Sequence, residues 1–141
     1  MTNKSAQIKA VAIDIDGTLV VPDQDVTPRV KRAVQSARDR GVLVLLATGR
    51  RYDSAAPFAA ALELDGPMIV SGGAMVCDGL SGAIYYEDVL PAESIADCVD
   101  LLRRGGLQPL LRERFSLGHR LFIGPQACDD AATMILSLIH I

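Results

Sequence analysis

Two carboxylates one residue apart, Asp14 and Asp16, interrupt an otherwise apolar, β-prone stretch that reads VAIDIDGTLVV over residues 11–21. In extended backbone, residues i and i+2 face the same side, so both acids are expected to share one small volume. In a buried place such a pair repels and needs relief. A hard, oxygen-liganded cation such as Mg²⁺ would provide it and leave waters for a phosphate to displace. The other form of relief is a proton on one aspartate, or a turn that bends it away. An Asx-type turn with Gly17 at positive φ accounts for AspGlyThr by itself, so this motif carries weight only in company.

Company comes from ThrGlyArg at 48–50, directly behind the apolar run VLVLLA. Thr48 offers a hydroxyl, Gly49 permits close backbone approach and Arg50 adds positive charge, a set suited to an anion at a helix N-terminus. Alone, these three residues also make an ordinary strand-to-helix turn. Asp14 and Thr48 lie 34 residues apart, which matches one βαβ unit and makes the two sites neighbours in space. Together, the two motifs outweigh the bland reading of each.

The elements that must position them follow from periodicity. Residues 8–15 read as a buried strand ending in a turn. Thr27 and Pro28 open a helix whose apolar stripe is Val30, Ala33, Val34 and Ala37, stopped at Gly41. Residues 42–47, apolar without alternation, have the pattern of a parallel strand covered on both faces. A second helix carries Ala55, Phe58, Ala59 and Leu62 on one face, with Asp53 or Ser54 as cap and Pro57 tolerated in the first turn. AspGlyPro at 65–67 breaks the chain before a third strand at 68–71.

Strand, helix, strand, helix, strand predicts an α/β fold with right-handed crossovers. Ligands of such sheets bind outside the carboxyl ends of the strands, where Asp14 and Asp16, ThrGlyArg and SerGlyGly at 71–73 should converge. Residues 74–77 and 83–87 read as a hairpin. From Pro91 the texture changes: a helix with Ile95, Cys98, Val99 and Leu102 on one face, a GlyGly stop at 105–106, short strands around Leu110 and Leu121, and a helix opened by Pro125.

Composition narrows the function classes. The chain has 141 residues, half of them apolar, and a net charge of −3. No apolar run is long enough to span a bilayer, and the polar start MTNKSAQIK lacks a signal-peptide core, so the expected location is the cytoplasm, away from the membrane. Cys77, Cys98 and Cys128 are widely spaced, which argues against a disulfide framework or a zinc site. The short basic run at 29–32 is expected to be a solvated helix face, so no nucleic-acid partner is expected. Neither GxGxxG nor GxxxxGK[ST] occurs, which disfavours a nucleotide-binding module. His119 and His140 carry no functional weight.

DIDGTLV at 14–20 followed by LLATGR at 45–50 resembles the haloacid dehalogenase superfamily of phosphatases, in its Cof-type branch acting on small phosphorylated metabolites. SGGAMV at 71–76 is similar to that branch's third-strand motif, with Gly72 where asparagine is usual. The resemblance implies a Rossmann-like parallel sheet with helices on both faces, plus the start of an inserted α/β cap. Residues 1–88 would be the N-terminal part of the core domain, 89–135 a partial cap and 136–141 a non-native tail, since LSLIHI matches one reading frame of a transposon end used in sequencing libraries.

It further implies Mg²⁺-dependent phosphomonoester hydrolysis, with Asp14 as the nucleophile and Asp16 as the acid that protonates the leaving oxygen and then activates water. Mg²⁺ would sit on the Asp14 carboxylate and the Asp16 main-chain carbonyl, while Thr48 and the Gly49 amide would hold the phosphoryl group. Arg50 would bind substrate or brace the loop. Family members also need a lysine and a late acidic cluster, but the last lysine here is Lys31 and no GlyAsp dipeptide occurs. Arg103, Arg104 and Arg120 lie in the cap. The chain is therefore expected to be weak or inactive alone. The competing expectation is a non-catalytic phospho-acceptor or Mg²⁺-binding receiver-like domain.

Overall fold

An apolar strand that ends in charged residues must pair along its length and release its polar end at a rim. The computed structural model, which describes residues 8–21, 25–107, 109–112, 115, 121–123 and 138–140, shows how. Strand β1 (Ala10–Ile13) pairs in parallel with β2 (Leu43–Leu46), Ala10 opposite Leu43 through Ile13 opposite Leu46. Parallel neighbours need a crossover, and helix α1 (Pro28–Arg38) supplies it. Thr27 caps α1 as expected, its hydroxyl accepting the Val30 N–H at 3.3 Å with Pro28 in the first turn. After the helix, Gly41 takes φ +77° and turns the chain toward β2.

Helix α2 (Tyr52–Ala61) leads from β2 to β3 (Pro67–Val70). The Thr48 N–H donates to the Ile69 carbonyl at 3.0 Å and Ala47 bridges Ile69 in parallel, so β3 continues the sheet beyond β2. Strand β4 (Met75–Asp78) returns antiparallel to β3, and β5 (Ile84–Glu87) lies beside β4. The core gathers Ile15, Leu46, Met68, Val70, Met75 and Cys77, all almost fully buried. Burial pushes the Cys77 thiol up to about 11, and its S–H donates to the Met68 carbonyl. The thiol is therefore a protonated packing group.

Several sequence expectations need correction. The first strand is shorter than residues 8–15 and mostly exposed, because among the described residues it pairs only with β2. In β2, Val44 and Leu46 are buried while Leu43 is 46 % exposed, so one face is packed and the other partly bare. Helix α2 starts before the expected caps. Arg51 stands at the N-cap without a side-chain bond, Asp53 pairs with Arg51, and Ser54 Oγ donates to the Arg51 carbonyl. Asp53 thus serves the helix as a negative charge near its N-terminus. Because of the early start, Pro57 falls inside the helix, at the cost of one backbone hydrogen bond.

The chain divides into two units, Met1–Tyr86 and Glu87–Ile141. In the second, helix α3 (Ala92–Arg104) closes at Gly105, and strand β6 (Leu110–Arg112) pairs antiparallel with β7 (Leu121–Ile123) and parallel with β8 (Leu138–His140). The helix expected from Pro125, together with Cys128, His119 and Arg120, lies outside the described residues. Among the described residues no helix is long and apolar enough to cross a membrane.

Gly79, in the turn after β4, sits against α2 and the loop behind it. A Cβ there would lie 2.7 Å from the Leu64 carbonyl oxygen and 3.2 Å from Ala59 Cβ. Backbone cannot yield as a side chain can, so Gly79→Ala is expected to destabilise the first unit by about 1–3 kcal/mol, read as a lower urea midpoint; an unchanged midpoint would show that the turn accommodates the methyl.

Candidate active site

The rim is built where β1, β2 and β3 release their polar ends. Past Ile13 the chain keeps the alternation of a strand for three more residues: Asp14 is exposed, Ile15 is fully buried and Asp16 is exposed. Ile15 anchors the segment in the core, so the two acids face solvent on the opposite side. The loop then closes on itself. Gly17 takes φ +75° and donates to the Val20 carbonyl at 2.9 Å, while the Leu19 N–H reaches the Asp14 carbonyl at 3.2 Å and the Ile15 carbonyl at 3.1 Å. Leu19 and Val20 are buried and hold the turn down.

The second cluster stands at the end of the neighbouring strand. Thr48 is 6 % exposed, and its Oγ accepts the Arg50 N–H at 3.1 Å, leaving its own hydroxyl proton without an acceptor among the described residues. Gly49 is exposed, an added Cβ would meet nothing within 4 Å, and its N–H has no acceptor among the described residues. A hydroxyl donor and an open amide thus sit side by side, a pair that can grip an anionic oxygen.

Arg50 does something the sequence did not announce. Its Nε donates to Asp16 Oδ2 at 2.8 Å and its terminal amine to Asp16 Oδ1 at 2.6 Å, a two-pronged ion pair. The Arg50 guanidinium also lies 4.9 Å from the centre of the Phe58 ring, so an aromatic face of α2 supports the same charge. The expected repulsion between Asp14 and Asp16 is therefore relieved on the Asp16 side by the paired charge of Arg50. Sequence signals for this pair existed in the equal spacing of Asp14–Thr48 and Asp16–Arg50, but the expectation for Arg50 was substrate binding or loop bracing.

The third cluster joins through backbone. Ser71 donates its N–H to the Arg50 carbonyl at 2.7 Å, and Gly72 donates to the Thr48 carbonyl at 3.3 Å. All three expected clusters are thus together on one rim.

Metal donors at this rim can be judged from the free groups. Among the described residues the Asp14 carboxylate has no hydrogen bond or ion pair, while no group of three or more His, Cys, Asp or Glu side chains gathers there. One or two protein oxygens suit Mg²⁺, which keeps several of its waters; a dedicated all-protein cage would be needed for Ca²⁺ or zinc.

The chain is similar to known proteins over most of its length. A family model for haloacid dehalogenase-like hydrolases matches residues 11–115. The pyridoxal phosphate phosphatase YbhA of Escherichia coli (strain K12) is 28 % identical over 103 residues, which cover 73 % of this chain and 38 % of that protein. An HMP-PP phosphatase of Serratia proteamaculans (strain 568) is 36 % identical over 85 residues, 60 % of this chain and 31 % of the relative. BT1666 from Bacteroides thetaiotaomicron, a phosphatase of the haloalkanoate superfamily, superposes with a TM-score of 0.73 at 23 % identity, over 90 % of this chain and 45 % of its own. The chain spans less than half the length of each.

The Asp16 carboxyl is held below its usual range chiefly by the hydrogen bonds from Arg50, with desolvation opposing and the Arg50 charge adding to the shift. A depressed folded pKa means the pair supports the fold above the ordinary carboxylate value, and this support fades as pH falls through the folded value. Arg50→Met is therefore expected to move the Asp16 titration upward toward the ordinary carboxylate range, followed by ¹³C NMR of its side-chain carboxyl. A midpoint that stays where it was would show that Arg50 does not hold Asp16.

Proposed function

The chain belongs to the haloacid dehalogenase-like hydrolase family, and from that premise we propose that its rim is a phosphoryl-transfer site of the Cof type, acting in the cytoplasm on small phosphomonoester metabolites. One observation carries the reading: two exposed carboxylates flank a buried Ile15 beside the open Gly49 amide and the Thr48 hydroxyl. The relatives are named for pyridoxal phosphate and for HMP-PP, small phosphorylated molecules.

The residues divide the work. An Asp14 oxygen attacks phosphorus while the bond to the leaving oxygen breaks, giving an aspartyl-phosphate. Asp16 gives its proton to the leaving oxygen, then takes one from a water that attacks the same phosphorus. That step frees inorganic phosphate and restores the Asp14 carboxylate. The Thr48 hydroxyl and the Gly49 N–H hold the phosphoryl oxygens throughout. Mg²⁺, held by the Asp14 carboxylate and the Asp16 main-chain carbonyl, would neutralise charge on those oxygens.

In the free chain Arg50 keeps Asp16 ionised, the form of a base. Donating a proton in the first step therefore requires the guanidinium to leave Asp16 when substrate arrives. The lysine and late acidic cluster of the family have no counterpart among the 141 residues, since the last lysine is Lys31. Turnover by this chain is accordingly weak or absent. The same Arg50 lock gives the receiver-like reading its one specific support, because acceptance of a phosphoryl group needs no proton from Asp16.

The test pairs turnover with binding. With p-nitrophenyl phosphate and Mg²⁺, release of p-nitrophenol should be slow or undetectable. Inorganic phosphate titrated into ¹⁵N-labelled chain should move the Thr48 and Gly49 amide resonances when Mg²⁺ is present, and not in Asp14→Asn. Resonances that stay put in the unaltered chain would refute the site. A phosphoryl adduct on Asp14 that forms and persists equally in the unaltered chain and in Asp16→Asn would favour the receiver-like reading.

A further inference from the structure

Ser71 is one of two non-glycine residues with positive φ among the described residues, at +54°, and Gly72 and Gly73 come next at +66° and +99°. L-residues avoid this region, so a serine held there marks a segment whose surroundings over-determine its shape. Two hydrogen bonds tie this segment to the 48–50 loop. The Ser71 N–H reaches the Arg50 carbonyl at 2.7 Å and the Gly72 N–H reaches the Thr48 carbonyl at 3.3 Å. These two acceptors bracket Gly49, whose own amide is the open one. The φ and ψ of Ser71 aim the next N–H, that of Gly72, so an extended Ser71 would carry it away from the Thr48 carbonyl and prolong β3 past Val70, where the chain must reverse to begin β4 at Met75.

We propose that the left-handed Ser71–Gly72 step is a positioning device for the 48–50 loop, fastening it at both ends so that the Gly49 amide stays open and Arg50 stays in reach of Asp16. This role rests on the reading of that loop as the phosphoryl-holding element. It assigns Ser71 and Gly72 no contact with substrate: their backbone donors are spent on the loop carbonyls. It also accounts for Gly72, where the Cof-type motif usually has asparagine. Both residues tolerate the left-handed region, glycine freely and asparagine better than other side chains. A Cβ at position 72 would meet nothing within 4 Å, so a substitution there acts through backbone conformation alone.

Amide and guanidinium exchange test this without any need for turnover. In ¹⁵N-labelled chain the Ser71 and Gly72 amides should be protected from solvent exchange, and the Arg50 Nε–H should give a resolved, slowly exchanging signal. Gly72→Val, with a β-branched residue at positive φ, should speed exchange of the Ser71 amide and the Arg50 Nε–H about tenfold. Gly72→Asn should restore both to within about twofold of the parent. Amides of β1 and α1 should be unaltered in each. An Arg50 Nε–H signal that is unchanged in Gly72→Val overturns the proposal, as does free exchange of the Ser71 and Gly72 amides in the parent. Should the valine variant fail to fold, Gly72→Ala, strained in the same sense without branching, is read by the same criteria. Failure of phosphate to bind would refute the phosphoryl-holding function while leaving these exchange results in place, so the two ideas fall separately.

Discussion

Four parallel residue pairs, Ala10 with Leu43 through Ile13 with Leu46, decide where the polar groups of this chain end up. The Ala47 N–H carries the ladder one step further onto the Ile13 carbonyl at 2.9 Å, after which both strands release their chains. Strand β1 releases Asp14–Ile15–Asp16, and β2 releases Thr48–Gly49–Arg50 beside it. Register in a sheet is pinned by the burial of alternate side chains, and here Leu46 and Ile15 are among the most buried residues. Slipping the pairing by one residue would turn Ile15 to solvent and an aspartate into the core. The apolar interior thus fixes where the two acids and the Gly49 amide emerge, although none of these groups takes part in the packing.

With the register fixed, the charge problem of two nearby carboxylates has an unexpected solution. Both acids remain in water, and Arg50 neutralises one of them. Asp16 therefore has two roles that compete for the same oxygens. Its pairing with Arg50 fixes where the carboxylate stands, with Phe58 against the guanidinium limiting the motion of both. Its proposed chemistry asks it to exchange a proton with a leaving group. A pair this exposed contributes little to stability, so the fold does not depend on keeping it intact. An arriving phosphoryl group, with more negative charge than one carboxylate, can compete for the guanidinium without disturbing the core.

Much of this arrangement was legible in the sequence, and the exceptions have physical causes. The Thr27–Pro28 opening and the GlyGly stop were readable because caps and terminators act locally. The parallel pairing of β1 with β2 was readable because one βαβ unit has a characteristic length. The exposure of β1 was not, since apolar composition reports what a strand could bury and says nothing about which neighbours are there. Helix α2 misled for a different reason: Asp53 and Ser54 look like caps, but the chain leaves the rim already turning, so the helix begins at Tyr52 and draws Pro57 inside. The Arg50–Asp16 pair and the left-handed Ser71 depend on contacts between segments 20 or more residues apart, and no local propensity encodes them.

The division between backbone and side chain at the rim has a consequence for how well the site is prepared. Long charged side chains on a surface lose rotamer freedom when they grip a ligand. Here the donors offered to an anion are a glycine N–H and a hydroxyl on a threonine that is almost fully buried and whose Oγ is already fixed by the Arg50 N–H. Neither has much freedom left to lose. Their positions are set by the end of β2, by the start of α2 and by two backbone bonds from the loop after β3. The carboxylate side is the reverse: Asp14 is exposed and its carboxylate is free of partners among the described residues, able to rotate toward whatever approaches. A rigid anion cradle beside a carboxylate free to turn suits the proposed transfer, which would hold the phosphorus still while an Asp14 oxygen comes into line.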